Sequence, residues 1–275
     1  MKKAILITGC STGIGYTAAH ELHKRGYHVI ASCRASSDVK RLQNEGLTCI
    51  QLDLANPKSI RLGAQKALAL CEGRLYGLFN NGAYGQPGAL EDLPTDGLRE
   101  QFEANFFGWH ELVRLVLPAM RQHNEGRIIQ NSSVLGFAAM RYRGAYNASK
   151  FAIEGWTDTL RLELHPSNIR IALIEPGPIE TQFRTNAKVA FLKWINIEKS
   201  VHKLEYQQQL QRLSDTTSNN QFVLPPEACL APLIHALESA TPKLRYRVTT
   251  PTKIFALLKR TLPGKWLDPI LRKAA

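Results

Sequence analysis

A chain of 275 residues with 44% hydrophobic and 21% charged residues can bury one large globular core, which excludes a disordered or low-complexity protein. No apolar run reaches the roughly 18 residues that a membrane span needs, and the short run after Lys2 and Lys3 has neither the length nor the small-residue site of a secretory signal. The net charge of +12 is uneven, with nine Lys/Arg against one Asp in residues 243–275.

In chain order, residues 3–8 form an apolar run that predicts a strand. Gly9-Cys10-Ser11-Thr12-Gly13-Ile14-Gly15 follows, and then a helical pattern to about residue 25. Strand, glycine-rich turn and helix is the setting in which backbone N–H groups and a positive helix end hold a pyrophosphate. The second strand, 27–32, ends in Cys33-Arg34 without the acid that would bond a ribose 2′-hydroxyl in an NAD site. The third strand, 48–52, runs into Asp53-Leu54, and a helix over 57–70 carries proline near its start. The fourth strand, 75–79, leads to Asn80-Asn81-Gly82-Ala83.

A long helical pattern over 98–123 contains Asn105, a residue that propensity does not favour inside a helix. The run Arg-Ile-Ile-Gln-Asn-Ser-Ser predicts a buried strand that delivers Ser132 and Ser133. Tyr146 and Lys150 follow on a helix that ends at His165-Pro166. Four residues apart, they leave one face of that helix a turn apart. A free phenol has a pKa of about 10, and a neighbouring cation favours its ionised form. Strand six, 169–175, leads to Pro176-Gly177-Pro178-Ile179-Glu180-Thr181. Alternating strands and helices predict one doubly wound α/β domain over the whole chain, a Rossmann fold with a mostly parallel seven-stranded sheet and helices on both faces.

The text Thr-Gly-x-x-x-Gly-Ile-Gly at the first turn, the Tyr-x-x-x-Lys pair and a serine thirteen residues before the tyrosine together resemble the short-chain dehydrogenase/reductase family over roughly residues 3–182. The resemblance implies NADP(H) as cofactor, with Gly9, Ser11, Thr12, Gly13, Ile14 and Gly15 on the pyrophosphate side and Arg34 on the 2′-phosphate. It places Asp53 and Leu54 at the adenine, Asn81 and Gly82 against the cofactor, and Pro176, Gly177, Ile179 and Thr181 at the nicotinamide amide. Tyr146 becomes the general acid/base and Ser133 the donor to the carbonyl oxygen. Lys150 holds the nicotinamide ribose and lowers the tyrosine pKa, and Asn105 opens its helix to carry a water in a proton relay. The family's Asn-Asn-Ala-Gly stands here as Asn-Asn-Gly-Ala, which puts the backbone angles there in question. A homodimer or homotetramer is implied by resemblance alone.

Residues 182–223 carry an apolar group of Phe183, Val189, Phe191, Leu192, Trp194 and Ile195 and a polar helix over 205–213, and the resemblance implies that this region forms a substrate lid. This composition favours a lipophilic carbonyl or alcohol such as an aldehyde, retinoid or steroid. The wording of the first turn and of the tyrosine helix resembles the 17β-hydroxysteroid and retinol dehydrogenase-like branch. A helix over 225–239 and a last strand over 244–249 precede a basic, apolar C-terminal extension with helical pieces at 253–262 and 266–272. That tail can lie on an anionic membrane, cap the pocket or pack on another subunit. Nucleic acid is not expected, since no recognition motif accompanies the charge. His20 and His23, three apart, lack a ligand set, so no metal is expected. Five scattered cysteines (Cys10, Cys33, Cys49, Cys71, Cys229) without a Cys-x-x-Cys pair predict reduced thiols and a cytoplasmic location, peripheral to the membrane if the tail binds there. The rival expectation is a non-catalytic dinucleotide sensor or scaffold on the same fold.

Overall fold

The computed structural model describes residues 2–214 and 221–273. Seven strands form one sheet in the order β3-β2-β1-β4-β5-β6-β7, and every neighbouring pair is parallel. They are β1 (Ala4–Ile7), β2 (His28–Cys33), β3 (Thr48–Gln51), β4 (Leu75–Asn80), β5 (Gly126–Asn131), β6 (Ile169–Glu175) and β7 (Arg245–Arg247). β1 and β4 are buried at every residue, because helices cover both faces of a parallel sheet and its strands become continuous apolar runs.

Alternate strand residues feed two cores. Leu6, Leu78 and Ile128 pack with helix α3 (Pro57–Leu70), helix α5 (Gly108–Gln122) and helix α6 (Gly144–Glu163), through Ile60, Trp109, Val116 and Ile153. Ile5, Phe79 and Ile129 face the other way, toward α1 (Gly13–Lys24), α2 (Ser36–Asn44) and α9 (Leu230–Glu238), through Ala18, Leu22, Leu42 and Leu233. The chain reverses direction of winding between β1 and β4, so ligands are expected beyond the carboxyl ends of these strands.

Local chemistry explains most element ends. Asn56 caps α3 by accepting from the Lys58 and Ser59 N–H groups, and Pro57 occupies the first helical position, where no N–H is needed. The predicted 98–123 helix is three pieces: α4 (Thr95–Phe102), a π-turn at Glu103–Phe107 that holds Asn105, and α5. Helix α2 was not predicted, since its sequence Ser-Ser-Asp-Val-Lys-Arg-Leu-Gln-Asn buries only Leu42 and offers little apolar periodicity. The predicted strand 244–249 pairs only over Arg245–Arg247, and the predicted helix 225–239 starts as a 3₁₀ turn at Pro226–Cys229.

Within the predicted lid, α7 (Phe183–Trp194) and α8 (Lys203–Ser214) pack on each other, and the predicted lid residues 215–220 lie outside the described residues. Tyr206 of α8 is fully buried, accepting from the Ala89 N–H at 2.8 Å and donating to Asp92. The tail forms α10 (Thr250–Thr261) and α11 (Gly264–Lys273), and its last two residues are likewise undescribed.

At Gly108 the start of α5 crosses the end of β3 so closely that a Cβ would collide with the Leu54 carbonyl oxygen. Because backbone stands on the far side and cannot swing away, Gly108→Ala is expected to destabilise the fold by roughly 2 kcal/mol or more, read as a lower urea midpoint at unchanged m-value.

Candidate active site

The carboxyl ends of β1, β4 and β5 are stitched together by side chains. Thr8 Oγ1 accepts from the N–H groups of Asn81 at 2.9 Å and Gly82 at 3.0 Å. Asn81 donates to the carbonyls of Thr8 and Gly9 at 3.0 and 3.2 Å and accepts from Asn131 at 2.8 Å. The first turn is therefore held at both sides. Gly9 and Gly13 sit at φ 69° and 59°, a left-handed conformation that glycine adopts without strain. Gly13 also lies against Thr181, whose Cγ2 would be 2.7 Å from an added Cβ, so the loop after β6 meets the first turn.

Thr12 stands at the N-cap of α1 but makes no side-chain capping bond, and the first helical turn contains no acid. That leaves the N–H groups and positive end of α1 available to an anion. Arg41, which the sequence reading missed, donates to the Ser11 carbonyl at 2.6 Å and is itself fixed by Asp38 and Glu45. It lies on α2, the helix whose polar sequence hid it. Arg34 is exposed at the end of β2, and Asp53 is half-buried with one carboxylate oxygen accepting from the Ala55 N–H. The exchanged pair Gly82-Ala83 needs no positive φ at either residue. At 82 an added Cβ would stand 2.8 Å from Leu54 Cδ1, which can swing aside, and 3.2 Å from the Gly9 backbone nitrogen, so the close approach of the two turns favours glycine there.

Beside this turn lie Ser133, just beyond β5, and Tyr146 and Lys150 on α6, all buried. Lys150 is 1% exposed, an unusual burial for an ammonium group. Its Nζ donates to the Asn131 carbonyl at 2.7 Å and sits 4.3 Å from the centroid of the Trp109 ring and 5.6 Å from that of Tyr146. Trp109 is in turn fixed by donating to the Gly82 carbonyl at 2.9 Å. Burial lowers the Lys150 pKa to about 7, against a smaller upward pull from Glu154. Among the described residues Lys150 makes one hydrogen bond of the three an ammonium can donate, which suits it to hold hydroxyl acceptors such as those of a ribose. Together with the open end of α1, this donor set fits a dinucleotide.

Burial pushes the Tyr146 phenol well above its ordinary value, and Ser133 acts in the opposite direction. Desolvation thus moves this phenol in the direction opposite to the lowering expected from Lys150, and the same burial pulls the Lys150 cation toward neutrality. Asn105 lies at a local opening of its helix. Its amide accepts from the Tyr84 N–H and donates to the Tyr84 carbonyl and to Ser149 Oγ, so its side chain clamps the loop after β4. The π-turn around it is genuine, with the Gly108 N–H bonded to the Glu103 carbonyl.

One turn beyond Lys150, Glu154 accepts from Ser132 Oγ at 2.5 Å and from Arg245 at 3.0 Å. Arg245 also meets Glu175 at 3.2 Å and Asp158 at 2.7 Å, and Arg247 meets Glu175 at 3.2 Å. The short strand β7 thus brings two arginines to two buried carboxylates. Burial together with the nearby Glu154 charge lifts the Glu175 pKa to about 7, while the arginines oppose the rise. The i, i+4 spacing of Lys150 and Glu154 was the available signal for this network.

Tyr146 belongs to an apolar cluster with Val134, Leu135 and Ala138, walled by Phe183 of the lid and by Phe255 and Leu271 of the tail. The Tyr146 and Phe183 rings meet edge to face at 5.2 Å. A cleft of about 510 Å³ opens beside the start of α6, lined by Gly144 and Asn147 on either side of Tyr146, by Leu90, and by Leu271 and Asp268 of α11.

Residues 3–190 match the short chain dehydrogenase family. Over 277 residues the chain is 43% identical to the uncharacterized oxidoreductase YbbO of Escherichia coli, covering 99% of this chain and 95% of that one. It is 36% identical to human retinol dehydrogenase 8 over 191 residues, 66% of this chain and 60% of that one. A short-chain dehydrogenase structure from Streptomyces avermitilis superposes with a TM-score of 0.76 at 25% identity, covering 98% of this chain and 93% of that one.

The Lys150 pKa carries a stability signature. Between about pH 7 and the ordinary lysine value, the unfolded chain binds a proton at this position that the folded chain does not, so this contribution to stability grows as pH rises. Unfolding free energies from urea melts between pH 7.0 and 8.5 are therefore expected to climb more steeply for the wild type than for Lys150→Met, by up to ~1 kcal/mol per pH unit. Parallel pH profiles would show that Lys150 stays charged when buried.

Proposed function

The chain belongs to the short-chain dehydrogenase family, and we propose that within it this protein is an NADP(H)-dependent oxidoreductase that interconverts a lipophilic carbonyl compound and its alcohol. The observation that carries this reading is the buried convergence of Ser133, Tyr146 and Lys150 beside a glycine-rich turn built for an anion. A bound nicotinamide supplies or accepts the hydride.

The remaining chemistry is the chain's own. Tyr146, kept protonated at neutral pH by burial, donates its proton to the carbonyl oxygen in the reductive direction. Ser133 donates a hydrogen bond to the same oxygen and stabilises the charge that develops there. Lys150 holds the ribose hydroxyls with its free N–H groups. With a pKa near 7 it can also pass a proton toward Tyr146 after each turnover. Glu154 and Arg245 hold Ser132, and through it the backbone that presents Ser133.

The preference for NADP(H) is supported by Arg34, which stands where an NAD site carries an acid. Arg34 would pair with a 2′-phosphate, and Arg41 fixes the neighbouring glycine-rich turn through the Ser11 carbonyl. The lipophilic substrate is supported by the aromatic and aliphatic wall of Phe183, Phe255, Leu271 and Met140 around Tyr146. Human retinol dehydrogenase 8, by its name, acts on a lipophilic alcohol, which supports the retinol dehydrogenase-like branch.

Tyr146→Phe is expected to lower kcat by about 10³-fold on a panel of apolar aldehydes and ketones while leaving cofactor binding, read by fluorescence titration, unchanged. Retained turnover would remove Tyr146 from the reaction. Arg34→Asp is expected to weaken kcat/KM for NADPH by roughly 100-fold with little effect on NADH. Wild-type saturation by NADH at concentrations as low as for NADPH would overturn the cofactor assignment.

A further inference from the structure

We infer that the paired C-terminal helices α10 and α11 form a docking face for an anionic lipid bilayer. Their inner sides close the molecule, with Ala256 and Leu267 buried and Leu271 against the Tyr146 cluster. Their outer sides carry what a packed surface avoids. Ile254 and Leu257, three apart on α10, are 49% and 63% exposed. Trp266 and Ile270, four apart on α11, are 67% and 38% exposed. Each pair forms one stripe on its helix. A tryptophan this exposed is rare in a monomer surface and suits the boundary between headgroups and acyl chains.

Charge selects the occupant. Lys253, Lys259, Arg260, Lys265 and Lys273 flank the apolar stripes, and none has a carboxylate partner among the described residues. The one acid of these two helices, Asp268, lines the cleft beside α6, about half a turn of the helix away from Trp266 and Ile270. The outer face is therefore apolar and cationic with no acid on it. An amphipathic segment of this kind lies in the interfacial plane of an anionic membrane, each surface cation adding about 1 kcal/mol. Among the described residues no helix is long and apolar enough to cross a membrane, so the attachment is to the surface. α11 then separates the bilayer from the cleft, with Leu271, Asp268 and Arg272 on the cleft side.

The test is co-flotation of the full chain with phosphatidylglycerol/phosphatidylethanolamine vesicles and with pure phosphatidylcholine vesicles, at low and high salt. Binding is expected to the anionic vesicles only and to weaken with salt. Trp266→Ser/Ile270→Ser and the charge reversal Lys259→Glu/Arg260→Glu are each expected to reduce it roughly tenfold or more. Turnover of a small water-soluble aldehyde, or far-UV circular dichroism if no turnover is found, should match the wild type in both variants. Absence of binding to anionic vesicles at low salt would overturn the inference, as would unchanged binding by both variants. A dimer that the Trp266→Ser/Ile270→Ser substitution dissolves, seen by light scattering without vesicle binding, would assign the face to a second copy of this chain instead.

Discussion

The burial of the Lys150 ammonium is the constraint on which the site depends. At 1% exposure it has lost nearly all its hydration, and a carbonyl oxygen and an indole face replace only part of it. Such a group persists only where surrounding structure holds it, and the structure around it is unusually well tied. The Asn131 carbonyl that receives it ends β5, the Asn131 side chain bonds Asn81, and Asn81 bonds the first turn. Trp109, which lies over the same ammonium, bonds Gly82. A displacement of the lysine would thus be felt at three strand ends and at the glycine turn together.

This arrangement has an electrostatic consequence. The same desolvation that pulls Lys150 toward neutrality keeps Tyr146 protonated. Phenol and cation are therefore set by burial first, and second by Ser133 and Glu154 respectively. A group that enters the site and neutralises part of the desolvation cost would move both values toward the ionised state. The Glu154–Arg245–Glu175 network sits behind Lys150, and its Glu154 charge pulls the lysine pKa upward.

Around this fixed centre the later part of the chain is arranged as walls. Phe183 begins α7 and touches Tyr146 edge to face, while Phe255 and Leu271 close the other side from the tail. The pair α7 and α8 is anchored by the buried Tyr206, which ties α8 to Ala89 and Asp92. The apolar residues of the lid therefore divide: Phe191 and Ile195 pack it down, whereas Val189 and Leu192 stay exposed. The chain's basic excess is likewise divided, with Arg245 and Arg247 committed to buried carboxylates and the cations of α10 and α11 left outside.

What could be read from the amino-acid order was whatever depends on neighbours along the chain. The glycine-rich turn, the proline of α3, the apolar strands and the i, i+4 pair of Tyr146 and Lys150 are local patterns, and α3 and β6 start and stop where those patterns do. What depended on distant partners was not legible. The π-turn splitting the predicted 98–123 helix follows from Asn105 clamping Tyr84 across 21 residues. Arg41 reaches Ser11, and Arg245 reaches Glu154, only because strands β2 and β7 are placed in register with the sheet. Whether a phenol beside an ammonium is made more acidic or less is also a tertiary matter, because charge proximity is written in the spacing but desolvation exists only once the core has closed.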